Sequence, residues 1–416
     1  MMAVTSSIGP GATNMVTAAA VAHVNRLPLL LLPGDVFANR RPDPVLQQIE
    51  NFADGTVSAN DCFRPVSRYF DRITRPEQII TALQRAMAVL TDPAECGPVT
   101  LALCQDVQAE AFDYPEVFFA ERIWTPRRVR PSEDELSAAI AKFRQARKPL
   151  IIAGGGVLYS GATATLKQFA EAHRIPLAET QPGKSSLPAD HPLNMGAIGV
   201  NGSSAANILA ERVVCAAGGL PGELHKLWRA GAPGSYHLEY GYSCMGYEIA
   251  GGLGVKMAKP DHEVVVMVGD GSYLMMNSEI ATSVMLGLKL TIIVFANSGF
   301  GCIDRLQTAA GGASFNNLLK DARHEILPVI DFAAHAASLG AIALNIASIA
   351  EFESAVAAAK ANDRTSVLVI ETDPQIATKL GGHWWDVPVP QVSPRAEVNR
   401  ARADYERALL AQHVVN

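Results

Sequence analysis

The sequence predicts an α/β protein built on parallel sheets and divided into more than one domain. Three observations carry that expectation. Helical and strand patterns alternate along nearly the whole chain. Apolar runs such as Leu29–Leu32 and Val264–Val268 have the length of buried strands and fall far short of a membrane span. With 416 residues, 49% of them apolar and 18% charged, the chain can bury two or three cores.

The elements follow in order. Gly9–Arg26 reads as a glycine turn and a helix, and "LPLLLLPGD" after it as a buried strand. Thr74–Asp92 carries apolar residues at helical spacing, and Gly97–Val107 reads as a strand. The Pro- and Arg-rich stretch Ile123–Glu135 breaks the periodicity and reads as a linker that ends at a helix N-cap on Ser132. A second unit brings a strand at Pro149–Ala153, the turn Gly154–Gly155–Gly156, a helix and a strand near Ile175–Ala178. The triple glycine lacks the spacing of a dinucleotide fingerprint, so close packing of strand against helix is the better reading. Residues 132–212 supply only two or three strands, few for an independent sheet. From Val213 onward the strands are "VVCAA", "EVVVMVG", "LTIIVFAN", "AIALNI" and "TSVLVIETD", separated by helical patterns.

Composition narrows the function classes. A net charge of −6 and a pI near 5.9 argue against nucleic acid or an anionic membrane as partner. The six cysteines are scattered without C-x-x-C pairs, which disfavours a disulfide framework or a zinc site and fits a reducing cytoplasm. "MMAVTSSIGPGATN" shows no basic region followed by an apolar core, so no signal peptide is expected there.

The chemistry concentrates at Gly269–Asp270–Gly271–Ser272. Here the apolar run Glu263–Val268 ends and "YLMMNSEIATSVMLGL" begins a helical pattern. The next strand ends at Asn297, and in a right-handed βαβ unit both strand ends meet at the carboxyl edge of the sheet, where open α/β folds bind ligands. A carboxylate, an amide oxygen and a backbone carbonyl such as that of Gly299 are hard donors suited to Mg²⁺ or Ca²⁺. Gly271 and Ser272 open the helix, so their N–H groups would face an anion. A lone G-D-G is ordinary turn chemistry. Its place between a buried strand and a strand-ending Asn makes it a clamp for a metal diphosphate.

With these residues in place, the chain resembles the thiamine-diphosphate enzymes of the acetolactate synthase and pyruvate decarboxylase type. Their cofactor motif is G-D-G followed by a pair of asparagines; here the pair stands as Ala296–Asn297. The resemblance implies that Asp270, Asn297 and the Gly299 carbonyl hold Mg²⁺, and that Gly269, Gly271 and Ser272 meet the diphosphate. "YGYSCMGYEIAGGLGVKMA" is similar to the family's T-M-G turn, which implies that Met245 props the cofactor in its bent shape. Ser6–Asp35 resembles the second half of the pyrimidine-binding domain. The implied domains are a partial pyrimidine-binding domain at 1–125, a shortened middle α/β domain at 132–212, and a diphosphate- and Mg-binding domain at 213–416.

A narrower similarity, to the trihydroxycyclohexane-1,2-dione hydrolases of myo-inositol catabolism, rests on several stretches. These are "CAAGGLPGELHKLWRA", "GSYHLEYGYSCMGYEIAGGLG", "FANSGFGCIDRLQ" with "GGASFNNLL", and "GGHWWDVPVPQVS". It implies hydrolytic cleavage of the carbon–carbon bond between two carbonyls of a small cyclic dione, yielding 5-deoxyglucuronate. It also implies a cytoplasmic homo-oligomer, a dimer or tetramer, with each active site built between two chains. Two departures bear on this. The family's activating glutamate precedes the G-P-G-A-T-N motif, yet none of residues 1–8 is acidic, and neither Glu50 nor Glu77 stands where it could substitute. Near Arg212–Val213 the expected remainder of the middle domain and the first helix of the last domain are missing. Impaired catalysis is therefore expected. The rival readings are an acetolactate-synthase-like carboligase, which needs a flavin site that the short middle unit hosts poorly, and a non-catalytic protein that binds the cofactor or pairs with a longer homologue. His237, Tyr240 and His383–Trp384–Trp385 are weaker candidates for substrate contact, and Glu279 reads as a residue that holds its helix.

Overall fold

The computed structural model describes every residue except 42–45, 50, 52, 128, 200–202, 204–218, 240, 379–388 and 412–416. The expected strand "VVCAA", the Arg212–Val213 join, Tyr240 and His383–Trp385 lie outside the described residues. The chain forms two compact units, Met1–Gln145 and Ala146–Asn416.

In the first unit, strands β1 (Met2–Ser6), β2 (Leu29–Asp35), β3 (Tyr69–Ile73) and β4 (Pro98–Cys104) pair in parallel in the order β1-β2-β4-β3. β4 is buried along almost its whole length, as a strand covered on both faces must be. The helix Gln78–Leu90 lays Ala82, Ala86 and Leu90 into the core at four-residue spacing. Two strands escape the sequence reading. β1 holds only five residues at the sheet edge, and β3 ("YFDRI") mixes charged and aromatic side chains. β3 is polar for a reason: Arg72 donates through Nε to the fully buried Asp35 at 2.8 Å and through Nη2 to Asp61 at 3.0 Å, tying β3 to the end of β2. The glycine-led helix is also two helices, Pro10–Asn14 and Val16–Val24, broken at Met15. The N-cap at Ser132 is present: its Oγ accepts from the Glu135 amide at 3.2 Å, and the Glu135 carboxylate accepts from the Ser132 amide at 2.8 Å.

The second unit contains two parallel sheets. β5 (Ile151–Ala153), β6 (Leu177–Glu179) and β7 (Asn194–Ala197) form the smaller one. The close packing expected at the triple glycine holds at Gly155, where a Cβ would fall 3.0 Å from the Pro182 side chain, but a tighter approach lies elsewhere. A Cβ on Gly156 would meet nothing within 4 Å, whereas one on Gly183 would lie 2.0 Å from the Ala153 carbonyl oxygen. The loop after β6 crosses the end of β5 there, and only glycine permits it. The larger sheet has the order β10-β11-β9-β8, with β8 Val265–Gly269, β9 Thr291–Ala296, β10 Ile342–Ile346 and β11 Ser366–Glu371. Val266, Val268, Ile292, Val294 and Val367 form its core with Tyr273, Ile280 and Ala336 from flanking helices. The fully buried Tyr273 keeps its hydroxyl satisfied through a 2.9 Å hydrogen bond with His335 Nδ1. The single helix expected after G-D-G is two, Asp270–Met275 and Ser278–Met285, separated at Met276–Asn277.

Candidate functional site

The register of β8 and β9 sets the geometry. Gly269 pairs with Phe295, so Asp270 and Asn297 leave the sheet at the same carboxyl edge. The helix Asp270–Met275 starts on the aspartate itself, which is 4% exposed. Oδ1 accepts from the Gly271 amide at 2.8 Å, and Oδ2 accepts from the amides of Asn297 at 3.0 Å and Gly299 at 3.3 Å. One carboxylate therefore joins the helix start to the loop after β9. Burial pushes its pKa up, and the backbone donors of Gly271, Gly299, Ser298 and Asn297 counter this only in part. A divalent cation would supply the remaining compensation.

Beside it, Asn297 Oδ1 is buried and has no hydrogen-bond partner among the described residues. Leaving such an acceptor unpaired costs about 1–3 kcal/mol. With the aspartate it supplies hard oxygen donors to the wall of one cavity, the donor chemistry that Mg²⁺ takes up together with phosphate and water oxygens. Among the described residues no cluster of three or more His, Cys, Asp or Glu side chains offers a different metal site. Gly299 adopts φ +140°, and a Cβ there would fall 2.4 Å from the Asn317 carbonyl oxygen. Its bridge to Leu318 holds this tight turn against the strand end. Gly299→Ala is expected to destabilise the second unit by about 1–3 kcal/mol and to weaken cofactor binding along with it; urea unfolding and calorimetry check the two effects.

A cavity of about 800 Å³ opens over this edge, within the size range of cofactor pockets. Met245, Gly269, Asp270, Gly271, Ser272, Asn297 and Gly299 all line it. The sequence-based candidates are thus brought together. Met245 is 44% exposed and free to meet a bound molecule. One expectation changes: the Gly271 N–H donates to Asp270 Oδ1, the acceptor nearest to it, and does not point to an external anion. His237 is exposed on the cavity wall, and Glu279 sits in the first turn of Ser278–Met285, where its charge suits the helix dipole.

Two carboxyl groups in the cavity escape the sequence reading. Glu239, 8% exposed, accepts from the amides of Tyr242 at 2.8 Å and Cys244 at 2.7 Å, shaping the turn that presents Met245. Glu248 accepts from the Gly246 amide at 3.0 Å beside Ser272, and burial pushes its pKa up. The only signal for either was an acidic residue flanking the C-M-G turn.

Comparison with known proteins identifies the family. Residues 136–214 match the thiamine pyrophosphate enzyme central domain, and residues 216–370 match the thiamine pyrophosphate enzyme C-terminal TPP binding domain. The thiamine diphosphate-dependent 4-hydroxybenzoylformate decarboxylase of Rhodococcus jostii RHA1 superposes with a TM-score of 0.72 at 17% identity. The match covers 89% of this chain and 87% of that one, and shows a shared fold. The chain belongs to the thiamine pyrophosphate enzyme family. Within it, the chain is 37% identical over 542 residues to the 3D-(3,5/4)-trihydroxycyclohexane-1,2-dione hydrolase of Geobacillus thermodenitrificans, covering 96% of this chain and 85% of the relative. It is 36% identical over 547 residues to the hydrolase of the same name from Bacillus cereus, with the same coverage. Both alignments are longer than the 416-residue chain, so these relatives carry sequence within the matched span that this chain does not. Among the described residues no helix is long and apolar enough to cross a membrane.

Proposed function

We propose that this chain binds thiamine diphosphate through Mg²⁺ held by Asp270, Asn297 and the Gly299 carbonyl, and that its substrate is a small cyclic 1,2-dione cleaved hydrolytically at a carbon–carbon bond. The observation that carries the binding site is the unpartnered Asn297 Oδ1 next to the buried Asp270 carboxylate, at the edge of a cofactor-sized cavity. The relatives' names support the substrate class. When bound, the cofactor supplies a carbon nucleophile and an electron sink. The chain's own residues hold and orient. Asp270 and Asn297 anchor the metal, Gly269 and Ser272 flank the diphosphate, and Met245 props the ring system. Glu239 fixes the turn that carries Met245. Glu248, its carboxyl pushed up by burial, can hold a proton beside Ser272. The product would be 5-deoxyglucuronate, and the working unit a homo-oligomer of two or four chains.

Calorimetric titration with thiamine diphosphate tests the site. Binding is expected with Mg²⁺ present and is expected to vanish in EDTA; saturable binding of equal strength without metal would remove the clamp from consideration. A second reading has a specific basis, since the relatives carry sequence within the matched span that this chain does not. In that reading the 416-residue chain binds the cofactor, or pairs with a longer relative, without turning substrate over at a normal rate.

A further inference from the structure

A second, smaller cavity of about 270 Å³ lies between the loop after β6 and the end of the helix Gly219–Leu227, and shares Trp228 with the wall of the larger one. Lys184 lines it and is 5% exposed. Its ammonium donates to the His225 backbone carbonyl and lies 5.2 Å from the centre of the Tyr236 ring. Among the described residues no carboxylate comes within ion-pair distance of it. Glu179, on the same cavity, is the carboxyl group that interacts with its charge, but that group is 4% exposed and already accepts from the Leu187 amide at 3.1 Å. Burial pushes Glu179 up, which weakens it as a counter-ion.

The neighbours on the helix side do not help. His225 is fully buried with both ring nitrogens unpartnered among the described residues, and burial together with the Lys184 charge pushes it down to about 3, so it stays neutral. Lys226 is engaged with Glu223 at 3.5 Å and Thr378 at 3.2 Å. Arg229 stands exposed at the rim. A buried ammonium without a direct ion-pair partner is costly, and an anion entering the cavity would offset that cost.

We propose that this cavity binds a short-chain organic carboxylate, with Lys184 as its buried anchor and Arg229 at the entrance. The wall explains the preference for a carbon body: Leu187, Ala189, Met195 and Trp228 line the space around the charged groups. The volume lies below the roughly 300–1,000 Å³ of pockets for drug-sized ligands, which restricts the ligand to a few carbon atoms. Lys184 is pushed down to about 8 by burial, with Glu179 opposing. A carboxylate that binds the protonated amine must therefore bind less well as pH rises through that value. Affinity at pH 9 is expected to be about tenfold below that at pH 7.

The test uses the whole 416-residue chain with malonate, butyrate, inorganic phosphate and uncharged butyramide as probes. Thermal shift and calorimetry read binding, and mass spectrometry reads protection of Lys184 from acetic anhydride. The two carboxylates are expected to raise the melting temperature and to shield Lys184; butyramide is expected to do neither. Lys184→Met, which removes the buried charge and keeps the bulk, should lose the carboxylate response. If that variant does not fold, the acetylation readout on the unaltered chain decides. Equal stabilisation by butyramide, binding of phosphate alone, or unchanged carboxylate binding in Lys184→Met would overturn the proposal.

Discussion

Asp270→Ala is expected to weaken Mg²⁺-dependent binding of thiamine diphosphate by at least ~100-fold. The lower bound follows because losing even an outer partner of a metal ligand costs about 10–100-fold, and Asp270 is proposed as a ligand itself. The same substitution strands the amides of Gly271, Asn297 and Gly299, which now donate to its carboxylate. Each donor left buried without a partner costs about 1–3 kcal/mol. Asp270→Asn separates the two roles. The amide keeps one acceptor oxygen for the surrounding backbone but loses the charge, so it should fold better than the alanine variant and still bind cofactor poorly. Urea unfolding measures the first effect and calorimetry the second. Cofactor affinity unchanged in both variants would remove Asp270 from the site.

The second large effect concerns turnover. Glu248→Gln, which removes a carboxyl group from the cofactor-sized cavity, is expected to slow opening of the proposed cyclic dione roughly 10²–10⁴-fold, the usual worth of a positioned acid–base group. Side-by-side assay of the variant and the unaltered chain, each saturated with cofactor and Mg²⁺, gives the comparison. Near-equal rates would show that another group moves the proton. Glu248 is the group to replace because it lies in the same cavity as Asp270 with its carboxyl pushed up by burial.

Much of the site was legible because strand register follows from pattern. Two apolar strands joined by one helix bring their ends to one edge, so Asp270 and Asn297 could be paired from spacing alone, and they emerge together after the Gly269–Phe295 pair. The N-cap at Ser132 was legible for a similar reason: Ser and Glu three residues apart form a local reciprocal pair that needs no tertiary partner. Features that depend on distant contacts were not legible. β3 is held by Arg72 reaching Asp35 across the sheet, and nothing local in "YFDRI" announces it. Gly183 is packed more tightly than Gly155 of the conspicuous triplet, because the Ala153 carbonyl that crowds it comes from another strand.

The sequence alone determined the α/β architecture and the meeting of Asp270 and Asn297 at one carboxyl edge, since each rests on periodicities and spacings that the backbone converts directly into position. Only the tertiary structure decided how those residues are used. It turned the Gly271 amide onto Asp270, left Asn297 Oδ1 without a partner among the described residues, and placed Glu239 and Glu248 in the cavity. It also enclosed Lys184 with no carboxylate at ion-pair distance among the described residues. Burial and partnership are properties of the packed chain, and a charge or amide becomes costly, and so available to a ligand, only when water is removed from it.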